Sequence, residues 1–273
     1  MSKSIKDSIR RHYDLITPFY LKIWGEHIHH GLWLKGNETK EDAQENLVRE
    51  LIKIGQIPKR AKILDVGCGL GGSSMYLANH LGAEVVGITL SRVQVDMASK
   101  KVTEGGVKNV EFFVMDAENM KFPSGTLFDV IWAIESISHF PHKEEFFRDA
   151  VALLKPGGKF ILADWFQSEG IKHEEREKFI EPIERGMLTP RIEAMSDYER
   201  LLKTQGIEII ISQDVSNQVS QTWDVAKNYL RPFYWLRALI NGIDIFNFLK
   251  TFKSMRKGFK SGKFRYGLMI GKK

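Results

Sequence analysis

A 273-residue chain with 43% hydrophobic and 27% charged residues can bury one large α/β core with a lid, or two modest domains. Its single cysteine, Cys68, excludes an internal disulfide framework, and with neither an apolar signal region nor a run of about 18 apolar residues the chain reads as soluble and cytoplasmic. The net charge of +6 is uneven: residues 227–273 hold 12 Lys/Arg against one acid, Asp244, and the rest holds 28 against 33, which argues for one basic C-terminal surface and against nucleic acid as the partner of the whole chain.

In chain order, residues 1–60 show no strand–helix alternation and read as an N-terminal helical cover. From residue 61, β-rich runs at 61–66, 84–89, 110–115, 128–133 and 158–164 alternate with amphipathic stretches near 71–81, 91–104 and 143–154. This rhythm predicts an α/β fold, a doubly wound and mostly parallel sheet with helices on both faces. GIEIIISQ (206–213) and FRYGLMIG (264–271) add strands at the far edge. The stretches 168–203 and 216–260 read as helical lid insertions in a core that runs from 61 to 273.

The most informative stretch is ILDVGCGLGGSSMYLANHLGAEVVGITLS, residues 63–91. Gly67, Gly69, Gly71 and Gly72 follow a strand and open a helix, where glycine permits positive φ and close approach of backbone to ligand. The pattern is not G-x-G-x-x-G, and Asp65 just before it is unwelcome beside a pyrophosphate. A carboxylate suits a cationic ligand, and S-adenosylmethionine carries both a sulfonium and an ammonium group. The plainer alternative is that Asp65 caps the turn. Cys68 has no histidine beside it in sequence and reads as a packed thiol.

LDVGCGLGG (64–72), VVGITLS (85–91), VMDAENMKFPSGTLFDVIWAIES (114–136) and LLKPGGKFILADW (153–165) resemble, in order and spacing, the motifs of class I S-adenosylmethionine-dependent methyltransferases. HYDLITPFY (12–20) and IWGEHIHHGLW (23–33) extend the resemblance to the N-terminus. With the GITLS variant and the basic tail, the chain is most similar to the tocopherol C-methyltransferase group, and less so to the sarcosine/dimethylglycine N-methyltransferases. The resemblance implies a Rossmann-like seven-stranded sheet and S-adenosylmethionine as cofactor, with Asp65, Gly67 and Gly69 at the glycine turn and Tyr13 near the cofactor carboxylate. It places Asp116 on the adenine amino group, with Ala117 and Glu118 nearby; a loop-capping Asp is the plainer alternative. Most members end the second strand in an acid that takes both ribose hydroxyls. This chain departs from that, and the resemblance puts Thr89 and Gln94 at the ribose instead, groups able to accept or donate there. The alternative for Gln94 is an exposed helix residue.

Transfer of a sulfonium methyl is governed by approach geometry, and a phenolic acceptor also needs its proton removed. Candidates lie beyond the C-terminal ends of strands: Glu135 and His139 in AIESISHF, and Asp164 in ILADW. Sugar O-methyltransferases of similar pattern use a His after strand four and an Asp after strand five. His139 is therefore expected as base and Asp164 as its orienting or secondary partner, against the alternative of a structural histidine. EHIHH (26–30) matches no usual zinc spacing, so no metal is expected. His30 and Trp33, with Trp165, are expected to line the acceptor pocket as an aromatic wall.

Residues 229–267 are first dense in aromatic and aliphatic side chains, then interleave Phe and Met with Lys and Arg. An apolar lid with basic flanks suits a lipophilic acceptor and transient contact with an anionic membrane; a core-packed helix with solvated lysines is the alternative. The leading expectation is methyl transfer to a hydrophobic small molecule, with C-methylation of a phenolic or prenylquinol acceptor. N-methylation of a small amine, with Trp33, Trp132 and Trp165 as a cation box, and O-methylation of a natural product are the other enzyme readings. RNA methylation lacks both an RNA-binding module and a Pro-Pro-Tyr-type motif after strand four. A cofactor-binding regulator without catalysis is the remaining reading.

Overall fold

The computed structural model describes residues 2–226 and 245–273. Seven strands, β1 (Lys62–Val66), β2 (Glu84–Thr89), β3 (Val110–Val114), β4 (Phe128–Ile134), β5 (Leu154–Gln167), β6 (Glu208–Asp214) and β7 (Phe264–Lys272), form one sheet ordered β3-β2-β1-β4-β5-β7-β6. Strands β1 to β5 pair in parallel, and β7 runs antiparallel between β5 and β6. The order reverses between β1 and β4, and the crevice beyond their C-terminal ends is where such sheets take ligands.

Both sheet faces are covered, which is why these strands read as continuous apolar runs. On one face Ile63, Val85, Trp132 and Ile161 join Leu47 and Leu51 in one core. On the other, Leu64, Ile131 and Phe160 meet Phe146, Phe147 and Tyr198. Neighbours such as Ile63 and Leu64 thus point to opposite faces, as the strand pleat requires.

The N-terminal cover is two helices, α1 (Ser2–Trp24) and α2 (Lys40–Gly55). α2 starts at Thr39, whose hydroxyl accepts from Asp42 N at 3.1 Å, and buries Ala43, Leu47, Val48 and Leu51 along one stripe. α1 contains Pro18, which has no N–H to give the carbonyl four residues back. Helices α3 (Gly72–Leu81), α4 (Arg92–Glu104) and α5 (Lys143–Ala152) connect the parallel strands. α5 is shorter than the expected 143–154, because Leu154 already pairs with Phe128 of β4; the register then jumps to Val130 and Lys159.

The expected insertion at 168–203 holds α6 (His173–Phe179), α7 (Glu181–Met187) and α8 (Met195–Thr204). The one at 216–260 holds α9 (Ser216–Val219), α10 (Thr222–Ala226) and all but the last residue of a C-terminal helix, Ile245–Ser261; residues 227–244, including part of the apolar stretch, lie outside the described residues. That last helix buries Thr251, Phe252 and Met255 and exposes Lys250, Lys253, Arg256, Lys257 and Lys260. Among the described residues no helix is long and apolar enough to cross a membrane.

Candidate active site

A cavity opens beyond β1, β2, β3 and β4, roofed by α1 and the segment 26–29. Its floor is the turn after β1. Gly67 has φ 74°, a left-handed conformation that favours glycine, and a Cβ there would overlap the Ser136 side chain. Ser136 in turn donates its hydroxyl to the Val66 carbonyl at 2.7 Å, pinning the turn to the end of β4. Gly69 (φ 53°) also lines the cavity.

Asp65 faces this turn. It is 3% exposed and accepts a hydrogen bond from Ser74 Oγ at 2.5 Å. Burial pushes its carboxyl up to about 7 against the opposing effect of Ser74. A cation brought beside it would hold it ionised.

At the end of β2, Thr89 donates its hydroxyl to Gln94 Oε1 at 2.7 Å. Gln94 Nε2 reaches Thr17 of α1 at 3.3 Å. Gln94 is 4% exposed, not the exposed helix residue of the alternative. Its burial follows from Ser91, which caps α4 by accepting from Gln94 N at 3.1 Å and donates its own hydroxyl to Asp14 of α1 at 2.5 Å. After β3, Asp116 accepts from Glu118 N at 3.0 Å, so it does cap a short 3-10 turn, Ala117–Asn119. It faces the cavity as well, with Ala117 and Glu118. Lys6 of α1 bridges these acids, its Nζ 2.7 Å from both carboxylates.

The opposite wall is built around Glu135, the residue after β4, held at φ 50°. A non-glycine residue there is strained and persists only where its surroundings fix it. Here they do. Oε1 accepts from His30 N at 2.6 Å and Tyr266 OH at 2.8 Å, and Oε2 accepts from His30 Nδ1 at 2.9 Å. Burial pushes this carboxyl up; the charge that His30 carries when protonated, its hydrogen bonds and the nearby His29 together outweigh that push and hold the carboxyl below its ordinary value. An ionised carboxylate has about four acceptor sites. Three are taken, and Glu135 lines the cavity.

His139 lines the same wall. Burial, then the nearby His12 and Lys143, push its imidazole down to about 3, so the ring is neutral near pH 7. Its Nε2 is 3.0 Å from Tyr13 OH, and the ring's tautomer decides which of the two donates. Among the described residues its Nδ1 reaches no partner at good hydrogen-bond geometry.

Three expectations from the sequence need correction. Asp164 is not a partner of His139: it is fully buried, and its oxygens accept from Ser138 N and Trp165 N, both at 2.8 Å. It fixes the turn that carries His139, and burial pushes its carboxyl up to about 7. His30 does not line the pocket; it stands behind Glu135 as a donor. Trp33, 4% exposed, lies away from the cavity, its backbone N–H bonded to the Gln218 carbonyl at 3.1 Å. Trp132 is in the core, so of the three tryptophans considered for a cation box only Trp165 reaches the cavity.

The histidines of EHIHH are engaged with one another and the backbone: His27 Nδ1 is 3.1 Å from His29 Nε2, and His29 Nδ1 donates to the His30 carbonyl at 2.8 Å. No cluster of three or more metal-ligating side chains occurs among the described residues.

Sequence reasoning missed Lys6, Trp223 and Tyr266. Lys6 was legible, since Lys6, Ile9, Arg10, Tyr13 and Tyr20 follow helical spacing on one face of α1 and all line the cavity. Trp223 and Tyr266 belong to no motif, and only the fold brings Tyr266 to Glu135 and Trp223 to His30.

The cavity fits S-adenosylmethionine. The glycine turn leaves room for a ligand close to the backbone, Asp65 matches an ammonium, and Thr89 with Gln94 and Asp116 with Glu118 offer acceptors to hydroxyls and an amine. The comparisons agree. Residues 63–158 match the family model described as a methyltransferase domain. The chain is 30% identical to the probable tocopherol O-methyltransferase, chloroplastic, of Oryza sativa subsp. japonica, over 98% of this chain and 78% of that protein. It is 31% identical to the 2-methyl-6-phytyl-1,4-hydroquinone methyltransferase of Synechocystis sp. (strain ATCC 27184 / PCC 6803 / Kazusa), over 96% and 86%. Among solved structures, a mycolic acid cyclopropane synthase complexed with SAH and CTAB superposes with a TM-score of 0.87 at 19% identity, covering 98% of each chain. The fold, the cavity and these relatives together make the chain a member of the class I S-adenosylmethionine-dependent methyltransferases.

Proposed function

We propose that this methyltransferase acts on a lipophilic phenol of the prenylhydroquinone kind and methylates its ring carbon. The observation that carries the reading is Glu135: a buried carboxylate, held by three donors, with one acceptor site left beside aromatic walls. S-adenosylmethionine supplies an electrophilic methyl group at its sulfonium. The protein's own part is to exclude water, orient the acceptor and take its proton. Tyr13, Tyr20, Trp165 and Met187 offer apolar surface to a ring and its chain, and the open site on Glu135 accepts the phenolic O–H. Charge then spreads from oxygen to the ring, making a ring carbon nucleophilic.

His139 takes a second role in this reading. Its Nε2 is already engaged by Tyr13, whereas Glu135 keeps an acceptor site on the same wall. The relatives' printed acceptors, tocopherol and a phytyl hydroquinone, support a prenylated phenol. The loss of Trp33 and Trp132 from the wall weighs against the amine reading.

The test is purified protein with methyl-labelled S-adenosylmethionine and a panel of phytylated hydroquinones, short-chain phenols and small amines. A carbon-methylated hydroquinone, located by NMR, is the expected product. A methyl ether would overturn the atom assigned, and turnover of amines alone would overturn the substrate class.

Such acceptors reside in bilayers, and we extend the proposal to peripheral membrane contact through the stripe Lys250, Lys253, Arg256, Lys257 and Lys260. Each basic residue near an anionic leaflet contributes about 1 kcal/mol. Neutralising Lys253, Lys257 and Lys260 should abolish co-sedimentation with phosphatidylserine-containing vesicles while sparing turnover of a water-soluble phenol. Wild-type protein that ignores such vesicles at low salt would show the stripe to be a solvated face.

A further inference from the structure

Glu135 is held by a chain of donors whose outermost member lies far from the cavity motifs. Trp223, on α10, donates its indole N–H to His30 Nε2 at 2.8 Å. An indole N–H can only donate, so Nε2 carries a lone pair and the ring proton sits on Nδ1. That proton points at Glu135 Oε2, 2.9 Å away. The ring cannot escape this arrangement easily. His30 is 3% exposed and is enclosed by Trp165, Trp223, Phe259 and Tyr266, with ring centroids between 5.1 and 6.1 Å. The Trp223 helix is itself tied to the His30 segment, because Thr222 Oγ1 accepts from Gly31 N at 3.2 Å.

We propose that Trp223 is a positioning residue for methyl transfer: its N–H locks His30 as the neutral Nδ1–H tautomer, so that Glu135, not His30, takes the acceptor's proton. The inference rests on the reading of Glu135 given above. In the step concerned the acceptor's O–H bond breaks, the proton goes to Glu135, and the electron pair stays with the acceptor for attack on the methyl carbon. An imidazolium beside Glu135 would oppose this. A positive charge within about 4–6 Å stabilises a carboxylate by 1–3 pKa units and weakens it as a base by the same margin.

The other titratable groups around Glu135 do not mimic the effect. Burial pushes the Tyr13 and Tyr266 hydroxyls up and the His29 and His139 rings down, so all four are uncharged near pH 7. Asp164 titrates near 7, but it does so alike with or without the Trp223 N–H.

Trp223→Phe removes the N–H and keeps a ring in the wall. With S-adenosylmethionine and a phytylated hydroquinone, the variant's kcat should lose its acid limb at higher pH than wild type, while KM for S-adenosylmethionine stays within about twofold. A packing defect alone would lower kcat without moving that limb. In parallel, the ¹⁵N shifts of the His30 ring in labelled wild-type protein should report the Nδ1–H tautomer, a readout that needs no variant to fold. An Nε2–H tautomer, or an unshifted limb in a folded variant, would overturn the proposal. Full turnover by Glu135→Gln would instead overturn the reading of Glu135, leaving the tautomer itself in place.

Discussion

The two halves of the cavity are held together in opposite ways. The cofactor half draws on a short span, Asp65 to Glu118, in which each group sits at the end of a parallel strand or in the turn after it. Strand and helix geometry bring Asp65, Thr89 and Asp116 to one rim, which α1 then braces through Lys6, Asp14 and Thr17. The acceptor half depends on contacts between distant parts of the chain: His30 and Tyr266 reach Glu135, Trp223 reaches His30, and Tyr13 reaches His139. A local frame tolerates changes elsewhere in the chain. A frame made of long-range side-chain contacts can be altered one contact at a time, and it is the half that meets the variable substrate.

Substitutions in the two halves should therefore separate binding from turnover. Glu135→Gln has the largest expected effect: kcat should fall by about 10²–10⁴, the usual worth of a positioned base, with cofactor affinity nearly unchanged by calorimetry. An equal loss of cofactor affinity would merge the two halves. Asp65→Asn should do the reverse. It removes a charged partner worth about 1.5–3 kcal/mol, so binding of S-adenosylmethionine should weaken by about 10–150-fold.

The buried acids give a sign that sharpens the comparison. Asp65 and Asp164 both titrate near 7, above the ordinary carboxylate range. Between about pH 4 and 7 the folded protein therefore holds protons that the unfolded chain has released, and stability falls as pH rises through that window. Without ligand, the melting temperature should drop by about 2–4 °C for each kcal/mol lost. Bound S-adenosylmethionine should flatten the part due to Asp65, by keeping it ionised, and leave the part due to Asp164. An unchanged slope with ligand would remove Asp65 from the ammonium site. The smallest effect is expected from His139→Ala, which should cost less than the roughly 100-fold lower bound for a base. A larger loss in kcat than Glu135→Gln would move the proton transfer to the Tyr13–His139 pair.

The same contrast explains what could be read from the sequence. The strand order and the cofactor rim follow from hydrophobic rhythm and glycine spacing, which are local. Gln94 was ambiguous because a helix residue after a strand can face either way, and its burial depends on Ser91, Asp14 and Thr17. Asp164 misled for a related reason. It closes the expected strand 158–164, which suggested a rim residue, but β5 runs on to Gln167 and the backbone N–H groups of Ser138 and Trp165 hold its carboxylate inside. Trp33 and His30 sit in one segment near the cavity, yet neither side chain lines it. Side-chain direction in an irregular segment is set by what packs behind it, here Thr222, Trp223 and Gln218, and no periodicity encodes that.

The antiparallel strand has a consequence for the order in which the molecule matures. β6 precedes β7 in the chain, yet β7 lies between it and the rest of the sheet, so β6 has nothing to pair with until β7 is threaded into place. Such a late, non-local closure is a slow step in folding. Tyr266 lies on β7, opposite Trp165 of β5, and its hydroxyl is one of the three donors that hold Glu135. Glu135 therefore lacks one of its three donors until β7 is seated, whereas the glycine turn is pinned by the ends of β1 and β4 alone.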